Sequence, residues 1–263
     1  DVSGMPKMKN LTVLGHIPTY THMELSCGIS DTLYCGCTLA LEPFYSKDFF
    51  PYSLLINKPN YVCASTGFWG NLCKKLNYDP KWKKIKMPYL MVPTVTGEGC
   101  SIGEEKFFNS TARKHKFGTD KLPYPLAPVT FSMGGGTTEG SGIFVLLYKS
   151  LQEKRLRSVI KKETLGLRPH GFAEVEVLDE KGNYCDIGEP GRLVAISPCE
   201  MKRYTTDNAK SPYITDATGK TWLNMGTYSY KSDKNGKIKM KGRMSDIIYL
   251  ESGEKIPYYK LVD

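Results

Sequence analysis

The chain has 263 residues, which is long enough for one large domain or two modest ones with their own hydrophobic cores. Its hydrophobic content of 40% and charged content of 24% are ordinary for a globular protein. No apolar run approaches the roughly 20 residues that a membrane-spanning helix needs.

The eight cysteines include only one close pair, Cys35 and Cys37, and the four histidines are scattered. This distribution does not indicate a zinc site, because structural zinc ligands come in closely spaced Cys and His pairs. It favours a reduced cytoplasmic protein with buried thiols over a disulfide scaffold.

The formal net charge of +9 raises the question of a polyanionic partner. Basic residues cluster at 81–86 and again at 154–162. Neither cluster belongs to a recognisable nucleic-acid-binding motif, and both are expected to be solvated faces of helices or loops. We therefore expect no nucleic-acid partner and no membrane partner.

The first half of the chain predicts alternating helices and strands. In chain order we expect a helix end, glycine turn and strand over 32–41, a helix over 47–56 with Pro51 in its first turn, a strand over 60–64, a helix over 66–76 and a strand over 87–92. Such alternation is typical of a parallel sheet with ligands at the carboxyl ends of its strands. The glycine-rich segments 97–99 and 134–136 are expected in loops at those ends.

From about residue 166 the pattern changes to short strands. Residues 171–178 and 191–196 alternate with period two, with a turn at 180–183, and residues 151–162 predict a connecting helix. The predicted fold class is therefore α/β: a parallel-sheet subdomain with flanking helices over 1–150, followed by a β-rich subdomain, a distorted barrel, over 151–245.

The most informative motifs lie near the end of the chain. A Trp-x-x-x-Gly-Thr block at 222–227 is followed by Asp-Lys-Asn-Gly at 233–236, a hairpin signal, then by Gly-Arg-Met-Ser-Asp-Ile at 242–247 and by Gly-x-x-Ile-Pro at 253–257. Upstream, residues 131–139 contain three glycines, two threonines and Glu139, and residues 96–101 form a second Gly-Glu-Gly segment. Further blocks stand at 18–23, 188–193 and 198–204.

In order and spacing these blocks resemble the AMP-binding, adenylate-forming superfamily, which contains acyl- and aryl-CoA synthetases, luciferases and the adenylation domains of peptide synthetases. The resemblance covers the latter part of that family's large domain. It implies an ATP-dependent ligase of the acyl- or aryl-CoA synthetase kind, which forms an acyl-AMP and then a thioester. The implied ligands are ATP or AMP, Mg²⁺, a small carboxylic acid, and CoA or a carrier-protein thiol as acceptor.

The resemblance also implies roles for individual residues. Glu139 would hold the metal, Thr138 would bind a phosphate oxygen, and both are candidate catalytic residues. His22 would line the acid pocket, and Asp246 would be the hinge, with residues 246–263 as the beginning of a further domain. The implied nucleotide-binding residues are Gly97, Glu98, Gly99, Gly134, Gly135, Gly136, Thr137, Thr227 and Arg243.

Each of these residues also has a structural alternative. Glu139 would then be a turn carboxylate that caps the next helix, Arg243 a partner in a surface salt bridge, Asp246 an ordinary loop residue and His22 a buried polar residue of the core.

The motifs depart from the family pattern at several positions. Gly135 stands where the family has an adenine-stacking aromatic residue, and Thr227 stands where it has a ribose-binding Asp. Ser245 and Arg192 replace a hinge Lys and a Glu. These changes leave open a catalytically decayed member that acts as a binding or regulatory module.

Two parts of the family pattern are not seen in these 263 residues. The resemblance places a phosphate-binding loop well upstream of His22, and a catalytic Lys on a mobile C-terminal domain. We therefore expect the chain to belong to a longer enzyme, and residues 1–263 by themselves not to adenylate an acid.

Overall fold

Parallel strands and the helices that connect them form the first half of the chain. The computed structural model describes residues 10–97, 100–118, 132–146, 173–206, 209–232, 237–250 and 255–257. Contacts divide the chain into two units, the first made of Asp1–Gly134 and Leu146–Ile160 and the second of Gly135–Val145 and Lys161–Asp263. The predicted helix 151–162, the turn 233–236, and Glu98 and Gly99 lie outside the described residues.

The elements of the first unit alternate as the sequence predicts. They are β1 (Thr12–Gly15), a π-helix (Glu24–Ser30) that continues into α1 (Asp31–Cys35), β2 (Thr38–Leu41), α2 (Phe50–Asn57), β3 (Tyr61–Ala64), α3 (Thr66–Tyr78), β4 (Val92–Val95), α4 (Ile102–His115) and β5 (Ser132–Thr137), in which the chain passes to the second unit.

The strands pair in the order β2-β1-β3-β4-β5, and β6 (Ser141–Leu146) follows β5 at the edge. The pairs from β2 to β5 are all parallel, with Thr12 opposite Thr38 and Val13 opposite Tyr61. Each parallel pair needs a crossover connection, and the intervening helices provide it.

The helices cover the sheet with large apolar side chains. Phe68, Leu72 and Leu76 of α3 are buried, as their helical spacing predicts. Trp69 is fully buried beside them, and its indole N–H donates to the carbonyl of Thr94 at 2.9 Å, which ties α3 to β4. Pro51 lies in the first turn of α2, where its missing N–H has no helical partner to lose.

Two sequence expectations for this unit were wrong in detail. The strand expected over 87–92 begins only at Val92, because the backbone turns before it, with the Leu90 N–H donating to the carbonyl of Met87. The glycines Gly134 to Gly136 lie within β5 and not in a loop. Strand β5 pairs with β4 at Ser132 and Met133 and continues beside β6. The turn follows the glycines, at residues 138–140.

The second unit is an antiparallel sheet, which confirms the predicted fold class of a parallel-sheet subdomain followed by a β-rich one. The sheet order is β11-β10-β8-β7, with β9 paired to β10. Its elements are β7 (Glu174–Leu178), β8 (Pro190–Ile196), β9 (Tyr213–Thr215), β10 (Thr221–Lys231) and β11 (Ile238–Arg243), followed by a 3₁₀ turn (Met244–Asp246) and the hairpin of β12 (Ile247–Tyr249) and β13 (Lys255–Pro257).

Both faces of this sheet bury apolar side chains. Leu193 packs with Val177 on one face, and the next residue, Val194, packs with Leu178 and Trp222 on the other. Successive residues of a strand point to opposite faces. The sheet is therefore covered on two sides in its middle, as expected for a sheet that curls.

A buried carboxylate lies in the first unit, at the start of the π-helix. The side chain of Glu24 is 2% exposed, and its Oε2 accepts a hydrogen bond from the Ile17 N–H at 3.3 Å. Its Oε1 has no hydrogen-bond partner among the described residues, and a Cβ at Gly15 or Gly28 would collide with it. Burial raises the pKa of Glu24 to about 7, against a smaller lowering by the Ile17 hydrogen bond.

Glu24→Gln should flatten the pH dependence of stability. The folded protein keeps the Glu24 proton up to pH of about 7, whereas the unfolded chain releases it near the ordinary pKa of 4.5. The contribution of Glu24 is therefore fully present below pH 4.5 and is lost as the pH rises to about 7. Thermal unfolding across this range should show a smaller fall in Tm for the Gln variant than for the native chain.

Glu180→Gln, in an exposed turn, is the matched control and should keep the native pH dependence. If Glu24→Gln lost as much Tm across this range as the native chain does, the carboxyl of Glu24 would not carry the raised pKa.

Candidate functional site

Glu139 lies in the tight turn that follows β5. The turn closes because the Gly140 N–H donates to the hydroxyl of Thr137 at 3.1 Å. Thr138 is exposed in the same turn, and Glu139 is half-buried. The threonines and the carboxylate that the sequence placed in one motif therefore share one short turn of the second unit.

The loop over residues 197–204 holds Glu139 at both its backbone and its side chain. The Met201 N–H donates to the carbonyl of Glu139 at 2.8 Å, and the phenol of Tyr204 donates to Oε1 of Glu139 at 2.6 Å. The hydroxyl of Tyr213 in turn donates to the carbonyl of Met201. These contacts fix the carboxylate relative to the backbone that carries it.

The hydrogen bonds also decide the charge of Glu139. Partial burial alone would raise its pKa, but the Tyr204 phenol, the Glu139 N–H, the Thr137 hydroxyl and the positive charge of Arg243 all lower it, and the net direction is down. The carboxylate is therefore ionised at neutral pH. The same hydrogen bond, with burial and the charge of Glu139, raises the pKa of Tyr204 to about 12, so the phenol remains a donor.

Arg243 reaches this region through the pairing of two strands. Thr227 of β10 lies directly opposite Arg243 of β11. The register of β10 against β8 shifts between Asn224 and Tyr228, and Gly226 within this bulge has φ +60°. This conformation favours glycine, and a Cβ built at Gly226 would lie 4.0 Å from Nη1 of Arg243, an ordinary contact distance.

Thr227 is 7% exposed, and its hydroxyl donates to the carbonyl of Met225 at 3.1 Å. The hydroxyl of Thr227 therefore donates its proton to a backbone carbonyl of the same strand, β10. Thr227 lies opposite Arg243, as the motif order suggests, but its side chain makes its hydrogen bond within the bulge.

The donor set around Glu139 fits a cation that arrives with phosphate. One ionised carboxylate and the hydroxyls of Thr137 and Thr138 are all oxygen donors, as hard divalent cations prefer. In the described parts of the chain no three His, Cys, Asp or Glu side chains come together as a metal cage. Mg²⁺ is commonly held by one or two carboxylates together with the phosphates of its nucleotide, and this arrangement suits that mode.

Other predicted site residues lie in the first unit. Gly97 follows β4 with φ +80°, a conformation that favours glycine, and a Cβ there would lie 3.7 Å from the terminal methyl of Met23. His22 precedes Met23, and its carbonyl accepts a hydrogen bond from the Ser26 hydroxyl at 2.8 Å. The structure thus brings the segment of His22 to the turn of Gly97, at the carboxyl end of a parallel strand.

Asp246 closes the 3₁₀ turn that directly follows Arg243. Its side chain is exposed, and its Oδ1 accepts a hydrogen bond from the Ser245 hydroxyl at 2.8 Å. Nothing in these contacts distinguishes a hinge from a surface turn, so the hinge assignment stays a prediction.

Tyr204 is a residue of the site that the motifs do not predict. It ends the block 198–204, which by itself assigns it no role at the site. The signal was the tyrosine itself at the end of a recognised block, but its partner Glu139 lies 65 positions earlier in the chain. Only the folded chain brings the two together.

Tyr204→Phe should raise the pKa of Glu139 and weaken the turn. The contribution of Glu139 is present above its ordinary pKa and is lost as the pH falls through its lowered folded value, so the destabilisation should be larger at neutral than at acidic pH. Loss of the hydrogen bond should cost about 0.5–1.5 kcal/mol at pH 7. Carboxylate ¹³C titration by NMR and thermal unfolding measure the two effects.

Tyr78→Phe removes an exposed phenol from the first unit and should change neither quantity. An unaltered Glu139 pKa in Tyr204→Phe would show that the phenol does not hold this carboxylate in solution.

Solved structures of ligases share this fold. A scan against protein-family models finds no match, and a sequence search of curated proteins finds none either. A long-chain-fatty-acid–CoA ligase from Archaeoglobus fulgidus matches with a TM-score of 0.70 and 16% identity over 92% of this chain and 45% of its own. A benzoate–CoA ligase from Burkholderia xenovorans matches with a TM-score of 0.70 and 18% identity, over 95% of this chain and 44% of its own.

An O-succinylbenzoate–CoA synthetase from Bacillus subtilis, solved in complex with AMP, matches with a TM-score of 0.67 and 18% identity, over 98% of this chain and 46% of its own. The chain thus spans a little less than half the length of each of these enzymes. The similarity predicted from the motifs is confirmed at the level of the fold: this chain folds like part of the AMP-binding acyl- and aryl-CoA ligases.

Proposed function

We propose that this chain is the nucleotide-binding part of an ATP-dependent enzyme that adenylates a carboxylic acid, of the acyl- or aryl-CoA synthetase kind. The observation that carries the proposal is that Glu139 is ionised and held in a fixed position. It is an ionised carboxylate, fixed by Tyr204 and Met201 and close enough to Arg243 for that charge to lower its pKa. The fold shared with CoA ligases supports the same assignment.

The proposed reaction joins an acid to the α-phosphate of ATP. A carboxylate oxygen of the acid attacks the α-phosphorus, a new P–O bond forms, and the bond to the β-phosphate breaks with release of pyrophosphate. Positioning and charge neutralisation account for most of the rate acceleration in such transfers.

Four residues have proposed roles in this reaction. Glu139 holds Mg²⁺, the exposed hydroxyl of Thr138 donates to a phosphate oxygen, and Arg243 contacts ribose or phosphate. When bound, Mg²⁺ offsets the negative charge of the phosphates. Tyr204 orients the carboxylate before the nucleotide arrives, so less reorganisation is needed at the moment of reaction.

The remaining assignments are part of the proposal. Gly97 in the first unit is assigned to the nucleotide, His22 to the acid pocket and Asp246 to a hinge for a mobile domain. The acceptor of the acyl group is CoA or a carrier-protein thiol.

Glu139→Gln should abolish the adenylation step while leaving the fold intact. The amide is close in shape but has no charge, so the cation loses its anionic ligand. In the whole protein, exchange of labelled pyrophosphate into ATP in the presence of carboxylic acids should fall by at least about 10²-fold, the loss typical of one preorganised electrostatic contact. Mg²⁺-dependent binding of ATP, measured by calorimetry, should weaken in parallel.

Glu180→Gln makes the same chemical change in an exposed turn of the same unit and should leave both measurements unchanged. Native exchange rates in Glu139→Gln would remove Glu139 from the metal site.

A non-catalytic binding module is the second candidate, and the contact of Thr227 favours it. The hydroxyl proton of Thr227 is donated to Met225, and Gly135 offers no ring for a base to stack on. Aromatic–base stacking is typically worth about 1–3 kcal/mol, so its absence weakens nucleotide binding.

Calorimetry with ATP, AMP and a non-hydrolysable acyl-adenylate mimic separates the two candidates. Micromolar binding of the mimic by the whole protein is expected of an active synthetase. Absence of binding for all three compounds would leave the binding module as the function.

A further inference from the structure

One surface of the first unit carries a large excess of positive charge. Residues 74–86 and 113–116, here called the basic surface, contain nine of the 36 Lys and Arg residues of the chain but only one, Asp79, of its 27 Asp and Glu residues. These two short segments thus have a formal net charge of +8.

The fold joins the two segments through hydrogen bonds. Residues 79–86 follow α3 and pack against the C-terminal end of α4, where Nδ1 of His115 lies 2.6 Å from the carbonyl of Ile85. The ammonium of Lys86 donates to the carbonyl of Lys114 at 2.6 Å. The ammonium of Lys114 donates to the side-chain oxygen of Asn77 on α3 at 3.0 Å. The basic surface is thus one continuous patch.

The patch is not neutralised by the described acidic residues. The ion pairs Lys220–Glu174 and Lys231–Glu176 both lie in the second unit, and Lys74, Lys81, Lys83 and Lys84 are exposed. Burial lowers the pKa of His115, and the charges of Lys86 and Lys114 lower it further. The positive charges of the patch therefore disfavour protonation of His115.

An exposed apolar strip borders the basic surface. The ammonium of Lys75 lies 4.7 Å from the ring centre of Tyr52 and 5.4 Å from that of Trp82, which connects α2 to the patch. Phe49, Tyr52 and Ile56 follow one another at helical spacing and are 37%, 45% and 70% exposed. The surface therefore presents positive charges and exposed apolar side chains side by side.

We infer that the basic surface and the strip of Phe49, Tyr52 and Ile56 dock the protein on a membrane that contains anionic phospholipid. Lysines near an anionic leaflet each gain about 1 kcal/mol from its surface potential. Apolar side chains next to them can enter the boundary between headgroups and acyl chains. The contact is peripheral: among the described helices, none is long and apolar enough to cross a bilayer.

The chemistry of the patch favours lipid over nucleic acid. Eight of its nine cations are Lys, which acts as a point charge, whereas the planar guanidinium of Arg suits paired recognition of phosphate and stacking on bases. Trp82, which lies among the lysines at 81–86, is buried, so its ring offers little for base stacking. The proposal departs from the expectation of no membrane partner, which treated the clusters as separate solvated faces.

The topology leaves the predicted ligand edge free. In a parallel sheet the helices return antiparallel to the strands, so the C-terminal ends of α3 and α4 lie at the edge where the strands begin. Gly97 lies at the other edge, after the end of β4. The basic surface therefore lies away from the Gly97 turn.

Co-sedimentation with vesicles tests the docking surface. The protein should bind vesicles of phosphatidylcholine mixed with phosphatidylserine, should not bind phosphatidylcholine alone, and should be released as NaCl is added. Charge reversal at three exposed positions (Lys81→Glu, Lys83→Glu, Lys84→Glu) should weaken binding by at least about tenfold. Ile56→Gln should lower the NaCl concentration at which the protein is released, because it removes an apolar contact with the bilayer.

The matched control reverses three exposed lysines outside the patch, Lys106, Lys181 and Lys210, each to Glu. This variant has the same net charge as the test variant and should bind anionic vesicles several-fold more tightly than the test variant does. Equal loss in both triple variants, or no binding of the native chain to anionic vesicles, would overturn the proposal. Tighter binding to polyuridylate than to vesicles, unaffected by Ile56→Gln, would assign the surface to nucleic acid instead.

Discussion

The arrangement of the second unit depends on the bulge in β10. This strand has 11 residues and pairs with β8, β9 and β11, so any change in its register moves all three neighbours. Gly226 adopts a positive φ within the bulge, with its N–H accepted by the side-chain oxygen of Asn224 at 3.0 Å. Beyond this point Thr227 pairs with Arg243, whose charge lowers the pKa of Glu139. The bulge thus directly precedes the pair of residues that places the charge of Arg243 near the carboxylate of Glu139.

Two glutamates in this chain show how differently burial can act. Glu24 is removed from water with a single backbone donor, and the cost of burying a charge raises its pKa. Glu139 is also partly buried, but a phenol, a hydroxyl, a backbone N–H and a guanidinium outweigh that cost and lower its pKa. One carboxyl therefore holds its proton in slightly acid solution and the other remains charged. The hydrogen-bond donors and the nearby positive charge keep Glu139 ionised, which makes it a suitable cation ligand.

The basic surface is a consequence of helix packing. The cluster at 81–86 is evident in the sequence, and by itself it is a common feature of solvated turns. The residues at 113–116 are the last turn of α4 and the residue after it, where basic side chains favourably face the negative end of the helix dipole. The contact between His115 and Ile85 places this turn against the cluster and concentrates the charge. The proposed ligand edge and the basic surface then lie at opposite edges of one sheet.

The sequence by itself determined the fold class and most of the elements. Alternating helix and strand patterns over residues 32–95 predict a parallel sheet because each parallel pair needs a crossover, and the period-two pattern after 171 predicts the antiparallel unit. The motif order also predicted the fold that the ligases share. Strand limits were less accurate: Gly134 to Gly136 suggested a loop, because glycine is rare in strands, but they belong to β5, whose neighbours in the sheet are β4 and β6. What only the tertiary structure decided were contacts between residues far apart in the chain. Tyr204 on Glu139, Arg243 beside Thr227 and the union of two lysine clusters all depend on packing and strand register, which local patterns do not encode.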